Sequence, residues 1–200
     1  RGEVALTIHG ADPDSSFCEV LDRFIAGDAN RAHALGVAAW QAGNRPQARM
    51  LLANAAMAEP TNLTIPRDLA KLLWAEGEGE QALKLLDSLP PEARADAVIA
   101  PLYAHLNLAE TARLAMPLAD LDARLTHDAD DLAARYQRAA VRLAGDDFSG
   151  AMADLLAIAR ADRGFRNDIG RTSLLALFDL LGGAHPLTRQ YRQALSESLH

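Results

Sequence analysis

The sequence predicts an all-α protein, an α-solenoid of about five stacked helical hairpins that follows a short strand and helix. Alanine makes up 41 of the 200 residues and leucine 32, whereas valine, isoleucine and threonine together make up 18. Alanine and leucine favour helices and β-branched residues favour strands, so this composition argues against a sandwich, a barrel or a large sheet. The second observation is an internal period of 34 residues. Such a period is typical of stacked helical units.

The repeat is clearest between residues 35 and 86, where six identities occur at one fixed offset. The matching pairs are Leu35 and Leu69, Trp40 and Trp74, Gly43 and Gly77, Gln47 and Gln81, Ala48 and Ala82, and Leu52 and Leu86. Because tryptophan and glycine both recur at this offset, the pattern indicates two copies of one structural unit.

Each copy is predicted to be a helix, a tight turn and a second helix. In the first copy, the inward face of the first helix is predicted to consist of Ala32, Leu35, Gly36 and Ala39. Gly43 and Asn44 then form the turn, since glycine enters the left-handed conformation at little cost, and Pro46 suits the first turn of the next helix. The inward face of the second helix is predicted to consist of Ala48, Leu52 and Ala55. The small residues Gly36 and Ala48 would let the two helices approach closely.

The pattern is weaker after the second copy, but it predicts further helices. Residues 96–126 indicate two helices with a break near Asn107–Thr111. Residues 130–162 indicate a hairpin that turns at Gly145–Asp147. Its inward faces are predicted to consist of Leu132, Tyr136, Ala139, Ala140 and Leu143 in one helix and Ala151, Leu155 and Ile158 in the other.

The end of the chain predicts one more helical pair. Asp168 is a candidate N-cap for a helix that runs to Gly182–Gly183. The inward residues of that helix are predicted to be Leu174, Leu177, Phe178 and Leu181. Pro186 then opens the last helix.

The N-terminus has a different pattern. Residues 3–9 alternate, with Val4, Leu6 and Ile8 on one side, as in a half-buried strand. An amphipathic helix with Phe17 and Phe24 is predicted to follow and to end at Gly27. A single strand is not stable by itself, so it needs partners upstream or in another molecule. The chain begins at Arg1 rather than Met, so we expect it to be a fragment of a longer protein.

The repeated residues resemble the tetratricopeptide pattern, in which leucine and a small residue precede a turn glycine, and alanine, a large apolar residue and proline follow it. In the first copy those places are filled by Leu35, Gly36, Gly43, Ala48, Leu52, Ala55 and Pro60. In the second copy they are filled by Leu69, Ala70, Gly77, Ala82 and Leu86.

Residues 29–200 also resemble the tetratricopeptide half of the thioredoxin-fused co-chaperones, the chaperedoxin family. The stretches that carry this resemblance are Leu85–Arg94, Ala133–Gln137, Asp162–Arg166 and Tyr191–Leu195. The predicted strand and helix before them resemble the last strand and helix of a thioredoxin fold. The resemblance therefore implies a remnant of a thioredoxin-like domain at residues 1–27 and a tetratricopeptide-like repeat domain at residues 28–200.

The composition argues against several other classes of function. The net charge is −7 and no cluster of cations is present, so we expect no binding to nucleic acid. No apolar run is long enough to span a membrane. The six histidines form no metal-ligand spacing, and Cys18 is the single cysteine and is expected to be a small buried hydrophobe. We expect no catalytic residues, no metal and no cofactor, and therefore no enzyme.

Two surfaces are candidates for binding. By the resemblance, the inner helices of the repeats line a groove, whose lining residues would be His33, Val37, Trp40 and Gln41 in the first copy and Arg67, Lys71, Trp74 and Ala75 in the second. The alternative is that both tryptophans pack between neighbouring repeats. The second candidate is one face of the last helix, formed by Leu187, Tyr191, Leu195 and Leu199. That face would either dock on a partner or cap the end of the repeats.

The resemblance implies a bacterial cytoplasmic protein that takes part in protein folding under stress. Its partners would be unfolded clients and a chaperonin-type foldase, with a homo-oligomer left open. By the resemblance, we expect the redox half of that family to lie outside these 200 residues, and Cys18 does not match its active-site motif. The alternatives are a stand-alone scaffold for one specific peptide or for self-association, and a non-catalytic part of a redox enzyme.

Overall fold

The structure, a computed structural model, describes the backbone of residues 14–198 and the side chains of residues 27–198. Every regular element in the described part is a helix, which confirms the predicted all-α class. The predicted strand at residues 3–9 and the side chain of Cys18 lie outside the described residues. The chain divides into two compact units, Arg1–Leu72 and Leu73–His200. We describe each unit separately.

The first unit contains α1 (Asp14–Gln41), α2 (Arg45–Ala58) and most of α3 (Thr64–Ala75). Helices α1 and α2 pack along each other as the predicted hairpin. Gly43 has a φ of 80°, which confirms the left-handed turn. The Asn44 side chain then caps α2 by accepting a hydrogen bond from the backbone N–H of Gln47 at 3.3 Å.

The hairpin is close-packed through small residues. Ala48, Leu52 and Ala55 of α2 are all buried, as the sequence predicts. A Cβ atom placed on Gly36 would lie 2.9 Å from Cγ of Leu52, so only glycine fits there without movement of the leucine. The predicted close approach of the two helices is therefore confirmed.

Two expectations for α1 are wrong. The helix does not end at Gly27 but continues without a break to Gln41. Glycine inside a helix costs only about 1 kcal/mol relative to alanine, which does not end a helix whose neighbours are good helix formers. The second concerns Leu35, which is 53% exposed rather than inward. Helix α2 covers the Gly36 side of α1 and leaves Leu35 outside the contact.

The second unit begins with the last residues of α3 and contains eight further helices among the described residues. These are α4 (Gly79–Asp87), α5 (Pro91–Ala95), α6 (Ala100–Leu114), α7 (Leu118–His127), α8 (Leu132–Ala144), α9 (Phe148–Ala161), α10 (Ile169–Leu181) and α11 (Pro186–Glu197). Gly77 has a φ of 83° in the turn before α4, and Ala82 and Leu86 of α4 are buried. The second copy of the predicted unit therefore has the expected turn and inward face.

The predicted break near Asn107–Thr111 is wrong, because α6 passes through these residues. The Asn107 amide donates a hydrogen bond to the carbonyl of Tyr103 within the same helix, at 2.9 Å. The break lies instead at Ala115–Pro117. Proline lacks the backbone N–H and disfavours the helical conformation of the residue before it, so Pro117 separates α6 from α7.

The core of the second unit lies between α8, α9, α10 and α11. Its large buried side chains include Tyr136, Met152, Leu155, Ile158, Leu174, Leu177 and Phe178. These residues confirm the predicted inward faces of α8, α9 and α10. The turn between α8 and α9 differs in one detail, since Asp146 takes the left-handed conformation (φ 62°) while Gly145 has a φ of −97°.

Contacts in the second unit are not limited to helices that are adjacent in sequence. Helix α6 packs against both α8 and α10. The chain reaches α10 through three successive residues with positive φ, Arg166, Asn167 and Asp168. This left-handed turn redirects the chain before α10 begins.

Asp154 is the buried carboxylate among the described residues of this unit. Asp154 of α9 accepts hydrogen bonds from Nε and Nη2 of Arg138 at 2.9 and 2.7 Å and from Nη1 of Arg142 at 2.9 Å. Arg135 lies 3.5 Å from the same carboxylate. All three arginines project from α8, so Asp154 ties α9 to α8.

Candidate functional site

A cleft lies between the C-terminal turns of α1 and the middle of α3, entirely within the first unit. It has a volume of about 470 Å³, and its lining residues are Val37, Trp40, Gln41, Asp68 and Lys71. Val37 and Trp40 lie about one turn apart on α1, as do Asp68 and Lys71 on α3, so each helix contributes one face. The cleft therefore has an apolar wall on α1 and a charged wall on α3.

The two walls are connected by a hydrogen-bond network next to the cleft, which we call the Asp68 latch (His33, Arg67 and Asp68). Nε2 of His33 lies 2.9 Å from Oδ2 of Asp68, and Nε of Arg67 donates to Oδ1 of Asp68 at 2.9 Å. His33 belongs to α1 and the other two residues to α3. The latch therefore links the helices that form the cleft.

The latch holds Asp68 in its ionised form. Burial raises the pKa of Asp68, but hydrogen bonds from Arg67 and His33 and their charges together outweigh burial, so the pKa lies below its ordinary value. An ionised carboxylate only accepts hydrogen bonds, so Nε2 of His33 carries the proton in this contact. Arg67 and Asp68 compensate each other's charge.

Lys71 is the cation of the cleft that remains available. Its side chain is exposed, and it makes no hydrogen bond or ion pair with any residue among those described. Lys84, the other lysine of the chain, pairs with Glu80 at 2.6 Å. The amide of Gln41 likewise has no hydrogen-bond partner within residues 27–198. The cleft thus presents one ammonium and one amide beside an apolar wall.

Trp74 has a different environment from its repeat counterpart Trp40. It belongs to the second unit, is half-buried, and packs against Gly79, where an added Cβ atom would lie 2.8 Å from the Trp74 ring. The residue 34 positions before Gly79 is Arg45, so Trp40 has no equivalent glycine to pack on. Trp74 therefore packs against the start of α4 in its own hairpin, whereas Trp40 lines the cleft.

Comparison with protein families identifies the repeats. Residues 39–106 match one family model and residues 111–200 match another, and each model is described as a tetratricopeptide repeat. The chain contains tetratricopeptide repeats. Repeats of this family form protein–protein interaction modules, and their hairpins are the units of α-solenoids. The search of curated proteins found no match.

Neither a membrane-spanning helix nor a metal-binding group is found among the described residues. None of the described helices combines the length and the apolar character that a membrane crossing requires. Within the described residues, no group of three or more histidine, cysteine, aspartate or glutamate side chains is arranged to hold a metal ion.

The last helix of the repeats uses its predicted docking face inside the second unit. Tyr191 and Leu195 are each 7% exposed and Leu187 is half-buried against the same core. The hydroxyl of Tyr191 also donates to the carbonyl of Ser149 at 2.9 Å. This placement favours the capping alternative, in which α11 covers the end of the core. Leu199 lies outside the described residues.

The structure brings together four of the eight groove residues expected from the sequence and adds one. Val37, Trp40, Gln41 and Lys71 line the cleft, His33 and Arg67 lie beside it in the latch, and Trp74 and Ala75 lie in the other unit. Asp68 is the residue that sequence reasoning missed. The sequence could have indicated Asp68, because it lies directly after Arg67 and one turn before Lys71. A carboxylate there stands between two predicted groove cations.

Proposed function

We propose that the chain is a protein-interaction module that binds an extended segment of a partner protein in the cleft between α1 and α3. A single observation carries this proposal: Trp40 and Val37 form an apolar wall that no described residue fills, opposite an unpaired Lys71. Aromatic residues dominate the affinity of many interfaces, because they bury a large apolar area on binding.

The finer proposal follows the resemblance to the chaperedoxin family. The segment bound in the cleft would belong to an unfolded client, and the module would pass such clients to a chaperonin-type foldase. An unfolded chain exposes apolar side chains in extended backbone, which suits a cleft between two helices. The alternative partner is one specific peptide, bound without any chaperone work.

A thermal aggregation assay tests this proposal. Citrate synthase is heated alone and with an equimolar amount of the 200-residue chain, and light scattering is recorded. We expect the wild-type chain to suppress scattering and Trp40→Ala to suppress it much less. Loss of a central interface tryptophan typically costs about 2 kcal/mol or more, on the order of 30-fold in Kd.

Met57→Ala is the matched control, because Met57 lies on α2 and is 82% exposed outside the cleft. It should suppress scattering as the wild type does. Far-ultraviolet circular dichroism of both variants checks that the helices are intact. If the wild type gives no suppression, the holding of unfolded clients by this chain is excluded, and the specific-peptide alternative remains.

A further inference from the structure

We propose that the cleft selects segments in which an internal acidic side chain lies close to an apolar side chain. This inference rests on the proposed function, because it concerns the partner of the same cleft. It goes further by assigning the charge of the partner and the residue that recognises it, Lys71.

The charge of the cleft supports an acidic partner. The charge of Arg67 is compensated by Asp68, because Nε and Nη2 of Arg67 each lie 2.9 Å from Oδ1 of Asp68. His33 is bound to the other oxygen. Lys71 is then left without a counter-charge among the described residues. The chain as a whole has a net charge of −7, so the positive charge of Lys71 is opposite in sign to that of the molecule as a whole.

The apolar wall supports an apolar side chain next to that acid. Val37 and Trp40 face the charged residues of α3 across a cleft of about 470 Å³, which is at the small end of the range for ligand sites. A cleft of that size takes a short stretch of chain rather than a folded surface. The carboxylate would reach Lys71 while the neighbouring side chain contacts the Trp40 ring.

An internal acid fits the cleft better than a chain end does. Proteins capture a terminal carboxylate with several convergent donors, often a concave arrangement of backbone N–H groups or a forked guanidinium. The backbone of α1 and α3 is helical at all lining residues, so its N–H groups are bonded within the helices. The guanidinium of Arg67 is already bound to Asp68. A single ammonium remains, which suits one side-chain carboxylate.

Three short peptides test the inference by isothermal titration calorimetry at low ionic strength. The first is the end-capped peptide Gly-Phe-Glu-Leu-Gly, and the second has Gln in place of Glu. The third is the Gln peptide with a free C-terminal carboxylate. We expect the Glu peptide to bind up to about five-fold more tightly than either Gln peptide, as exposed charge pairs allow.

Lys71→Met should remove this preference, because methionine keeps the length of the side chain and removes its charge. Lys84→Met is the matched control and should keep the preference, since Lys84 is engaged with Glu80. Raising the ionic strength should reduce the preference in the wild type. Trp40→Ala should weaken the binding of all three peptides.

Each contrary result has a definite meaning. Equal binding of the capped Glu and Gln peptides, with both weakened by Trp40→Ala, overturns the acidic preference and leaves the proposed cleft standing. If the Gln peptide with a free C-terminus binds as well as the Glu peptide, the cleft recognises a chain end and the internal acid is refuted. If Trp40→Ala changes the binding of none of the peptides, both this inference and the proposed cleft fail.

Discussion

Asp154→Asn should destabilise the second unit far more than any exposed substitution of the same kind. The Asp154 side chain is 3% exposed, and Arg135, Arg138 and Arg142 converge on it. Asparagine keeps the shape of the side chain, removes the negative charge and replaces one acceptor oxygen with a donor. That donor would face the N–H groups of Arg138 or Arg142.

The magnitude follows from the contacts that remain. Removing one partner from a buried charge network typically costs about 3–5 kcal/mol. Arg138 retains Asp122 at 2.8 Å, and Arg142 retains Asp147 at 3.8 Å, so two of the three arginines keep a carboxylate nearby. We therefore expect the lower end of the range, about 3 kcal/mol. For a unit of this size, that lowers Tm by about 10 °C.

Urea and thermal unfolding followed by circular dichroism measure this effect. Asp120→Asn is the matched control, because Asp120 lies exposed on α7, and it should unfold within about 0.5 kcal/mol of the wild type. If Asp154→Asn also unfolded within that margin, water would satisfy the arginines equally well. The description of Asp154 as the connection between α8 and α9 would then be wrong.

Three further predictions concern other contacts. Gly36→Leu should cost about 1–3 kcal/mol of stability, because its side chain would overlap Leu52, and chemical denaturation would detect it. Trp74→Ala should destabilise the chain by about 2–3 kcal/mol while Trp40→Ala costs less than about 1, a difference that equal denaturation midpoints would contradict. The lowered pKa of Asp68 means that its ionised form stabilises the fold above the ordinary value of 3.8, and that this contribution is lost as pH falls through the lowered pKa. The stability difference between the wild type and Asp68→Asn should therefore shrink as pH falls below 3.8, and a difference that grew in that range would refute the latch.

The hairpin turns could be predicted from the sequence because local chemistry determines them. Gly43 and Gly77 have left-handed backbone, and Asn44, directly after Gly43, caps the next helix. The inward faces of α2, α8 and α9 followed from helical spacing for the same reason. The end of α6 was misplaced because the Asn107 amide bonds to a carbonyl within the helix, whereas Pro117 sets the actual boundary.

Other features depend on contacts between distant residues, and no local pattern contains them. Leu35 has the spacing of an inward residue, yet α2 packs against the neighbouring Gly36. Trp40 and Trp74 occupy equivalent positions in the repeat, but among the described glycines only Gly79 packs on a tryptophan, Trp74. The contact of α6 with α10 likewise follows from a left-handed turn at residues 166–168. Sequence reasoning found the helices that carry the cleft, and the structure was needed to show which side chains face it.

The Asp68 latch has a consequence for how quickly the cleft can be occupied. The contact between His33 and Asp68 holds α1 and α3 at a fixed spacing about two turns before Trp40 on α1, so the two walls are already separated before a partner binds. Binding to such a preorganised site loses little conformational entropy and needs no prior opening step. The observed association rate should then increase linearly with partner concentration and reach no plateau, because no slow rearrangement of the cleft precedes binding.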